Sequence, residues 1–140
     1  MPSAPDHPVA EDFLPPERVY RGMSTAHAES LQATGNLPPT RETMVSPNRA
    51  YTEKYAARGG ALVEFRLMPD TTALLSTIGV RDTSRLVQQT YPNMPLVQPG
   101  WPQRNAFFKG EGPQINVGLG RGLALEAFNA RIVDYDVTRF

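Results

Sequence analysis

Hydrophobic and polar residues alternate in several short stretches of the chain. The clearest stretch covers residues 61–68, where Ala61, Val63, Phe65 and Leu67 share one face. Successive side chains of a β-strand point to opposite faces of its sheet, so this alternation predicts a strand. Shorter apolar runs predict further strands at residues 19–23, 43–45, 106–109, 114–117 and 131–137.

Capping and stop residues predict short helices between these strands. Ser24 or Thr25 is suited to begin a helix that ends before Gly35, and Ser84 is suited to begin another that reaches Gln89. A further short helix is predicted at residues 123–128, whereas residues 71–81 fit either a helical turn or a strand end.

A longer helix is predicted before the glycine pair at residues 59 and 60. Ser46 and Pro47 are suited to its N-cap and first position, because proline lacks only a donor that is unpaired there in any case. The face of this helix that is predicted to pack carries Ala50, Tyr51, Lys54 and Tyr55.

Short strands interleaved with short helices predict an α+β domain with mostly antiparallel pairing. A length of 140 residues suits one domain. Residues 1–16 hold five of the 14 prolines and little to bury, which predicts a flexible tail or linker before a single domain at residues 17–140. Residues 91–105 hold four more prolines and Trp101, which predicts an ordered loop with a binding or lid function.

Composition argues against several function classes. The 14 basic and 14 acidic residues cancel, so no summed positive field attracts nucleic acid or an anionic membrane. There is no cysteine, and the histidines are only His7 and His27, so no metal site is expected. No apolar run reaches the roughly 18 residues of a membrane span, so no membrane insertion is expected.

Arg21 is the first candidate for chemistry. It lies in the apolar, strand-like run at residues 19–23, immediately before Gly22. Burying a guanidinium without a partner is costly, so Arg21 either escapes to solvent or meets an anion. Because arginine grips phosphate through two parallel hydrogen bonds, the pattern indicates an anion site.

Ser46 and Glu111 are candidates for the rest of that site. A serine hydroxyl at a strand end can position a sugar hydroxyl, and a carboxylate set between two glycines can approach a ligand closely. Other interpretations stay open. Arg21 could instead pair with a surface carboxylate such as Glu17. Ser46 could serve only as a helix cap, and Glu111 could be a solvated turn residue.

A glycine-rich segment at residues 118–122 precedes the last predicted helix. Backbone N–H groups at a helix start attract anions, so the segment has some likeness to a phosphate cradle. A dinucleotide-binding fold would require a parallel βαβ unit and wider glycine spacing, and the sequence lacks that pattern. A tight turn between strand and helix is the favoured interpretation.

Short segments in the order Arg, Ser, Glu resemble the Arg-Ser-Glu class of ADP-ribosyltransferase domains. More particularly, the chain resembles the small toxin domains at the carboxyl ends of bacterial polymorphic and secreted effectors. The likeness covers roughly residues 18–137. It implies a split, mostly antiparallel β-sandwich with short helices that holds NAD, the substrate, in its cleft. The segments carry Arg21 with Gly22, Ser46, Tyr51 with Tyr55, and Glu111.

The resemblance also implies roles for these residues. Arg21 with Gly22 would hold an NAD phosphate, and Ser46 would organise the strand that faces the nicotinamide ribose. Glu111 would accept a hydrogen bond from a ribose hydroxyl and stabilise the positive charge that develops on the ribose.

Further implications concern the aromatic residues and the partners. Tyr51 or Tyr55 would stack on the nicotinamide ring. The acceptor of ADP-ribose would be a macromolecule, either protein or nucleic acid. A bacterial secretion system would deliver the domain into the cytoplasm of a target cell, and a cognate immunity protein would block the cleft.

The sequence departs from the family's pattern near Glu111. Lys109 stands two residues earlier, where the family carries the group that orients a protein acceptor, and Gln114 is a possible stand-in. Glu126 is a rival carboxylate, although a position inside a helix suits it less. Two alternative functions therefore remain: an NAD glycohydrolase, and a catalytically silent module that binds a nucleotide or a partner.

Overall fold

The computed structural model describes residues 15–57 and 59–140. Within them lie five α-helices and seven strands. The strands are β1 (Glu17–Met23), β2 (Met44–Val45), β3 (Ala61–Leu67), β4 (Gly79–Arg81), β5 (Ala106–Glu111), β6 (Gln114–Leu119) and β7 (Ile132–Arg139). The helices are α1 (Thr25–Thr34), α2 (Arg49–Ala56), α3 (Thr71–Ser76), α4 (Arg85–Thr90) and α5 (Leu123–Ala130), with a 3-10 helix at Trp101–Gln103.

The strands form two sheets. The first has the order β1-β3-β7 and is antiparallel. The second has the order β2-β6-β5-β4, in which β4 and β5 are parallel and the other neighbours are antiparallel. A parallel pair requires a crossover connection, which α4 and the proline-rich loop supply. The predicted α+β class is confirmed.

An isolated antiparallel bridge between Tyr20 and Ser46 joins the two sheets. The Tyr20 N–H donates to the Ser46 carbonyl at 2.7 Å, and the Ser46 N–H donates to the Tyr20 carbonyl at 3.0 Å. Since β1 and β2 are edge strands of different sheets, the bridge brings these two edges together. Arg21 therefore follows directly after a residue that is paired to Ser46.

The core combines apolar side chains from both sheets and from the helices. Phe65 of β3, Phe108 of β5 and Phe128 of α5 are completely buried. The rings of Phe65 and Phe128 meet edge to face with centroids 5.3 Å apart, a favourable aromatic geometry. Leu31 and Val87, which are also fully buried, fasten α1 and α4 to this core.

Side-chain caps begin two of the helices, α1 and α4, as expected. The Ser24 side chain accepts a hydrogen bond from the His27 N–H at the start of α1, and Ser84 caps α4 in the same way. Gly35 ends α1 in the left-handed conformation, with φ of 77°. Residues 71–81, for which the pattern left two interpretations, form both α3 and the short strand β4.

The predicted start of α2 is wrong. Asn48 is the N-cap, and its side chain accepts a hydrogen bond from the Tyr51 N–H. Ser46 lies outside the helix because its backbone is extended and committed to the bridge with Tyr20. Asparagine caps a helix at least as well as serine, so the helix starts at Arg49, two residues beyond Pro47.

The predicted packing face of α2 is also wrong. Thr52 and Ala56 are the buried residues, whereas Tyr55 is 64% exposed. Gly22 explains the difference, since a Cβ there would lie 2.7 Å from the Thr52 carbonyl oxygen. The helix approaches β1 so closely that only small side chains fit between them, and the larger residues of α2 face outward.

The predicted tail at residues 1–16 lies outside the described residues, except for Pro15 and Pro16, which are exposed. The proline-rich loop is ordered by backbone hydrogen bonds. The Arg81 N–H donates to the Pro95 carbonyl at 2.9 Å, and the Val97 N–H donates to the Arg81 carbonyl at 2.8 Å. The prediction of an ordered loop is therefore confirmed.

We expect Phe65→Ala to lower the free energy of unfolding by about 3–5 kcal/mol, because it removes a buried ring from between helix and sheet. Urea denaturation of both proteins measures the difference. Val133→Ala is the control, since Val133 is 61% exposed on β7 and its truncation should cost less than about 0.5 kcal/mol. Equal effects of the two substitutions would contradict the assignment of the core.

Candidate functional site

A cavity of about 380 Å³ opens where β1, β2, α2 and the β5–β6 hairpin meet. Its walls come from segments that are far apart in the chain. Its lining combines hydrophobic Met44 and Val45 with polar and charged groups. Six residues singled out from the sequence line it: Arg21, Gly22, Ser46, Tyr51, Tyr55 and Glu111.

Arg21 is a largely buried cation held by neutral groups. Its Nη1 donates to the Met44 carbonyl at 2.7 Å, and its Nη2 donates to the Thr40 hydroxyl at 3.3 Å. Burial lowers the pKa of the guanidinium below its ordinary value, yet arginine stays charged at any physiological pH. The group therefore offers positive charge and further N–H donors to the cavity.

The alternative pairing of Arg21 with Glu17 is wrong. The Glu17 carboxylate accepts hydrogen bonds from the Thr72 N–H at 2.9 Å and the Thr72 hydroxyl at 2.8 Å. Among the described residues, Arg21 takes part in no ion pair. Its charge is therefore not neutralised by a carboxylate in this part of the chain.

Ser46 is 1% exposed and lies at the floor of the cavity. Its Oγ accepts a hydrogen bond from the Asn48 N–H at 3.1 Å and another from the Gln114 amide at 3.2 Å. The interpretation of Ser46 as only a helix cap is wrong, because Asn48 takes that role. Its hydroxyl is instead part of the polar floor.

Glu111 is the last residue of β5, just before a tight turn in which Gly112 has φ of 60°. Its carboxylate forms an ion pair with the Lys109 ammonium at 3.1 Å, and its side chain is 33% exposed. Glu111 thus contributes a partly exposed, ion-paired carboxylate to the wall of the cavity, and Lys109 lies beside it on the same wall.

Tyr51 and Tyr55 form an aromatic wall on α2. Their ring centroids are 5.5 Å apart, and their hydroxyl groups share a hydrogen bond of 3.2 Å. The hydrogen bond with Tyr55, burial, and the negative charge of Glu111 raise the pKa of Tyr51 to about 12. The Lys54 ammonium lies 5.2 Å from the Tyr51 ring centroid, within cation–π range.

Gln114 and Glu126 occupy different places. Gln114 lines an adjoining concavity of about 430 Å³ together with Tyr51 and Glu111, and it reaches the main cavity through its hydrogen bond to Ser46. Glu126 is exposed on α5 and lines neither space. The fold therefore groups Gln114, and not Glu126, with the other candidates.

The glycine-rich segment before α5 forms a tight turn. Gly122 has φ of 82°, a conformation that favours glycine. The Arg121 N–H donates to the Pro102 carbonyl at 2.7 Å, and the Ala124 N–H donates to the Arg104 carbonyl at 3.1 Å. These donors are occupied by the proline-rich loop, which fits the favoured interpretation of this segment.

Trp101 packs away from the cavity. Its ring lies 5.1 Å from that of Phe107, measured between centroids. A Cβ on Gly118 would lie 2.9 Å from the Trp101 ring, so the absence of a side chain at Gly118 makes room for the indole. In this structure the loop covers the second sheet and does not line the cavity.

Three polar residues of the lining, Glu42, Thr52 and Asn116, were not identified as candidates from the sequence. Asn116 is 2% exposed, and its Oδ1 accepts from the Gln114 amide at 3.1 Å. The signal was present, because Gln114 and Asn116 are polar residues two apart in a predicted strand and therefore share one face. Glu42 lies in an exposed turn, and no periodic pattern marked it.

The sequence pattern that defines the PT3 toxin domain matches residues 15–137. The chain belongs to the PT3 toxin domain family. The match covers the seven strands and five α-helices of the described residues, apart from the last residues of β7, and so includes every element that lines the cavity. A comparison with curated proteins finds no match for this chain.

Two further observations on this PT3 toxin domain concern metal binding and membrane-spanning helices. Among residues 15–57 and 59–140, no three His, Cys, Asp or Glu side chains are grouped so that they could hold a metal ion. In the same described ranges, no helix combines the length and the apolar character needed to cross a membrane.

We expect the raised pKa of Tyr51 to make stability depend on alkaline pH. The folded state holds the Tyr51 proton more tightly than the unfolded chain, whose tyrosine pKa is near 10. The associated stability is therefore complete below pH 10 and is lost as pH rises toward 12. Urea denaturation across this range should show a smaller loss for Tyr51→Phe than for the wild type.

Tyr55→Phe supplies the corresponding spectroscopic test. This substitution removes the largest cause of the shift, so absorbance titration should report phenolate formation by Tyr51 at lower pH than in the wild type. Tyr20→Phe is the control, because Tyr20 lies outside the cavity lining. An unchanged titration in Tyr55→Phe would refute the hydrogen bond as the cause.

Proposed function

We propose that this PT3 toxin domain is an NAD-dependent ADP-ribosyltransferase. The observation that carries the proposal is that Arg21, Ser46 and Glu111 line one cavity although they come from three separate segments. Their order and residue types are those of the family that the sequence resembles. A cavity of about 380 Å³ suits part of a dinucleotide, with the remainder lying along its open side.

Each wall of the cavity has a role in this proposal. Arg21, which lacks a carboxylate partner among the described residues, binds an NAD phosphate at the edge of Gly22. Ser46 and Gln114 form the polar floor beneath the nicotinamide ribose. Tyr51 or Tyr55 covers the nicotinamide ring. Glycine at position 22 matters here because it lets α2 bring the two tyrosines close to β1.

In this proposal, Glu111 stabilises the transition state in which nicotinamide leaves the ribose. The bond between C1′ of the ribose and the nicotinamide nitrogen breaks, its electron pair leaves with neutral nicotinamide, and positive charge develops on the ribose. The Glu111 carboxylate accepts a hydrogen bond from a ribose hydroxyl and stabilises that charge more than it stabilises bound NAD. A nucleophile on the acceptor then forms the new bond to C1′ and releases its proton.

An NAD glycohydrolase, in which water is the nucleophile, is the second candidate. The observation that favours it is the ion pair between Lys109 and Glu111 at 3.1 Å. Lys109 stands two residues before Glu111, at the position whose side chain orients the protein acceptor in the resembling family. A lysine that is paired to the carboxylate does not supply an acidic or amide group for that purpose.

The proposed partners follow from the toxin family and from the chemistry. An enzyme that consumes NAD damages the cell that makes it as well as the target. We therefore expect a cognate immunity protein that blocks the cavity and delivery by a bacterial secretion system into the cytoplasm of the target cell. The acceptor in that cell is a protein or a nucleic acid.

Glu111→Gln should lower the rate of nicotinamide release from NAD on the order of a thousandfold, because the amide cannot stabilise the positive ribose. Chromatographic measurement of nicotinamide, with and without a cell extract as acceptor source, checks this outcome. Isotope-labelled NAD in the same extract distinguishes a transferase, which labels a macromolecule, from a glycohydrolase, which releases only free ADP-ribose.

Glu126→Gln is the matched control, because Glu126 is an exposed carboxylate outside the cavity. It should retain the wild-type rate. Loss of activity in Glu126→Gln but not in Glu111→Gln would reverse the assignment of the carboxylate. If the wild type releases no nicotinamide even with extract present, the enzymatic proposal is wrong and the cavity is a binding site only.

A further inference from the structure

The side-chain amides of Asn48, Gln114 and Asn116 form a chain of hydrogen bonds beneath the cavity. One backbone N–H group determines which end of each amide donates and which end accepts. The Tyr51 N–H donates to Asn48 Oδ1 at 3.1 Å. A backbone N–H can only donate, so the atom that it contacts must be the oxygen of the Asn48 amide. Asn48 Nδ2 is consequently the donor to Gln114 Oε1, at 2.7 Å.

The same reasoning fixes the orientation of Gln114. Because its oxygen accepts from Asn48, its nitrogen faces the other way and carries two hydrogens. This Nε2 lies 3.2 Å from Ser46 Oγ and 3.1 Å from Asn116 Oδ1, so each hydrogen has an acceptor. Both acceptors line the cavity.

The chain ends in donors that have no acceptor among the described residues. Ser46 Oγ already accepts from Gln114 and from the Asn48 N–H, which leaves its hydroxyl hydrogen to point elsewhere. Asn116 Oδ1 accepts from Gln114, which leaves both hydrogens of its Nδ2. Ser46 is 1% exposed and Asn116 is 2% exposed, and both line the cavity, so a group bound in the cavity can supply the acceptors for these donors.

We propose that Asn48 is a positioning residue that, through Gln114, orients Ser46 and Asn116 as hydrogen-bond donors to the ligand. The helix cap of α2 thereby sets the polarity of the cavity floor. Together with Arg21, the floor presents these donors to the cavity, so it favours ligand groups that accept, such as hydroxyl, phosphate or carbonyl oxygens. That this ligand is NAD rests on the function proposed above, whereas the orientation of the amides does not.

Asn48→Asp tests the orientation without removing the cap. Aspartate caps a helix as well as asparagine, but an ionised carboxylate has no donor for Gln114. The Gln114 amide should therefore reverse, with its nitrogen toward position 48 and its oxygen toward Ser46 and Asn116. In NMR spectra of the ligand-free protein, its amide protons should show NOEs to Ser46 and Asn116 in the wild type and to position 48 in the variant.

Asn48→Ser controls for the added charge, because serine also caps a helix but supplies no amide donor to Gln114. In Asn48→Asp the reversed Gln114 amide should draw the donors of Ser46 and Asn116 away from the cavity, and in Asn48→Ser nothing at position 48 orients Gln114. Both variants should therefore raise the KM for NAD about 10-fold or more. They should change kcat much less, since these contacts hold bound substrate and transition state alike. A thermal melt of each variant verifies that the cap and the fold are retained.

The outcomes separate the two proposals. Unchanged Gln114 NOEs in Asn48→Asp, or a reversed amide with unchanged KM, would overturn the positioning role. A raised KM in Asn48→Asp alone would assign the effect to charge and would also overturn it. If the wild type does not turn over NAD, the proposed function fails, and the NOEs decide the orientation by themselves.

Discussion

Two backbone hydrogen bonds between Tyr20 and Ser46 hold together the edges of two separate sheets. Each sheet has its own hydrogen-bond ladder, and the bridge determines how the first edge meets the second. Arg21 follows one end of the bridge, and Ser46 is the other end. The cavity depends on this junction, because β1 carries its cation, β2 carries its serine, and the β5–β6 hairpin reaches it through pairing with β2.

Close packing of α2 on β1 gives the cavity its aromatic wall. Gly22 removes the side chain that would separate strand and helix, and Thr52 and Ala56 fill the narrow contact. The larger residues of the helix are consequently displaced outward, where Tyr51 and Tyr55 face the cavity. The same residue that allows the helix to pack therefore also exposes two aromatic rings to a ligand.

The electrostatic character of the cavity follows from what each polar group already binds. Arg21 is paired with a carbonyl and a hydroxyl, so its charge is desolvated but not neutralised by those partners. Glu111 is partly neutralised by Lys109. Positive charge and donors at the floor, with the ion-paired carboxylate of Glu111 and the carboxylate of Glu42 also in the lining, form an environment suited to a phosphorylated sugar. The proposal that this PT3 toxin domain binds NAD is based on these charges and donors.

The sequence by itself determined the local elements and the residue types of the site. Alternation identified β3, and capping serines identified α1 and α4. Arg21 was recognised as a candidate because it is a charged residue in the apolar run at residues 19–23. All of these signals depend on near neighbours in the chain. The tertiary structure decided the rest. Asn48 displaced Ser46 as the cap because Ser46 is committed to Tyr20, and the packed face of α2 was set by Gly22 on another element. The position of Asn116 beside Ser46 and the direction of the amide chain likewise depend on contacts between distant segments, which no local pattern encodes.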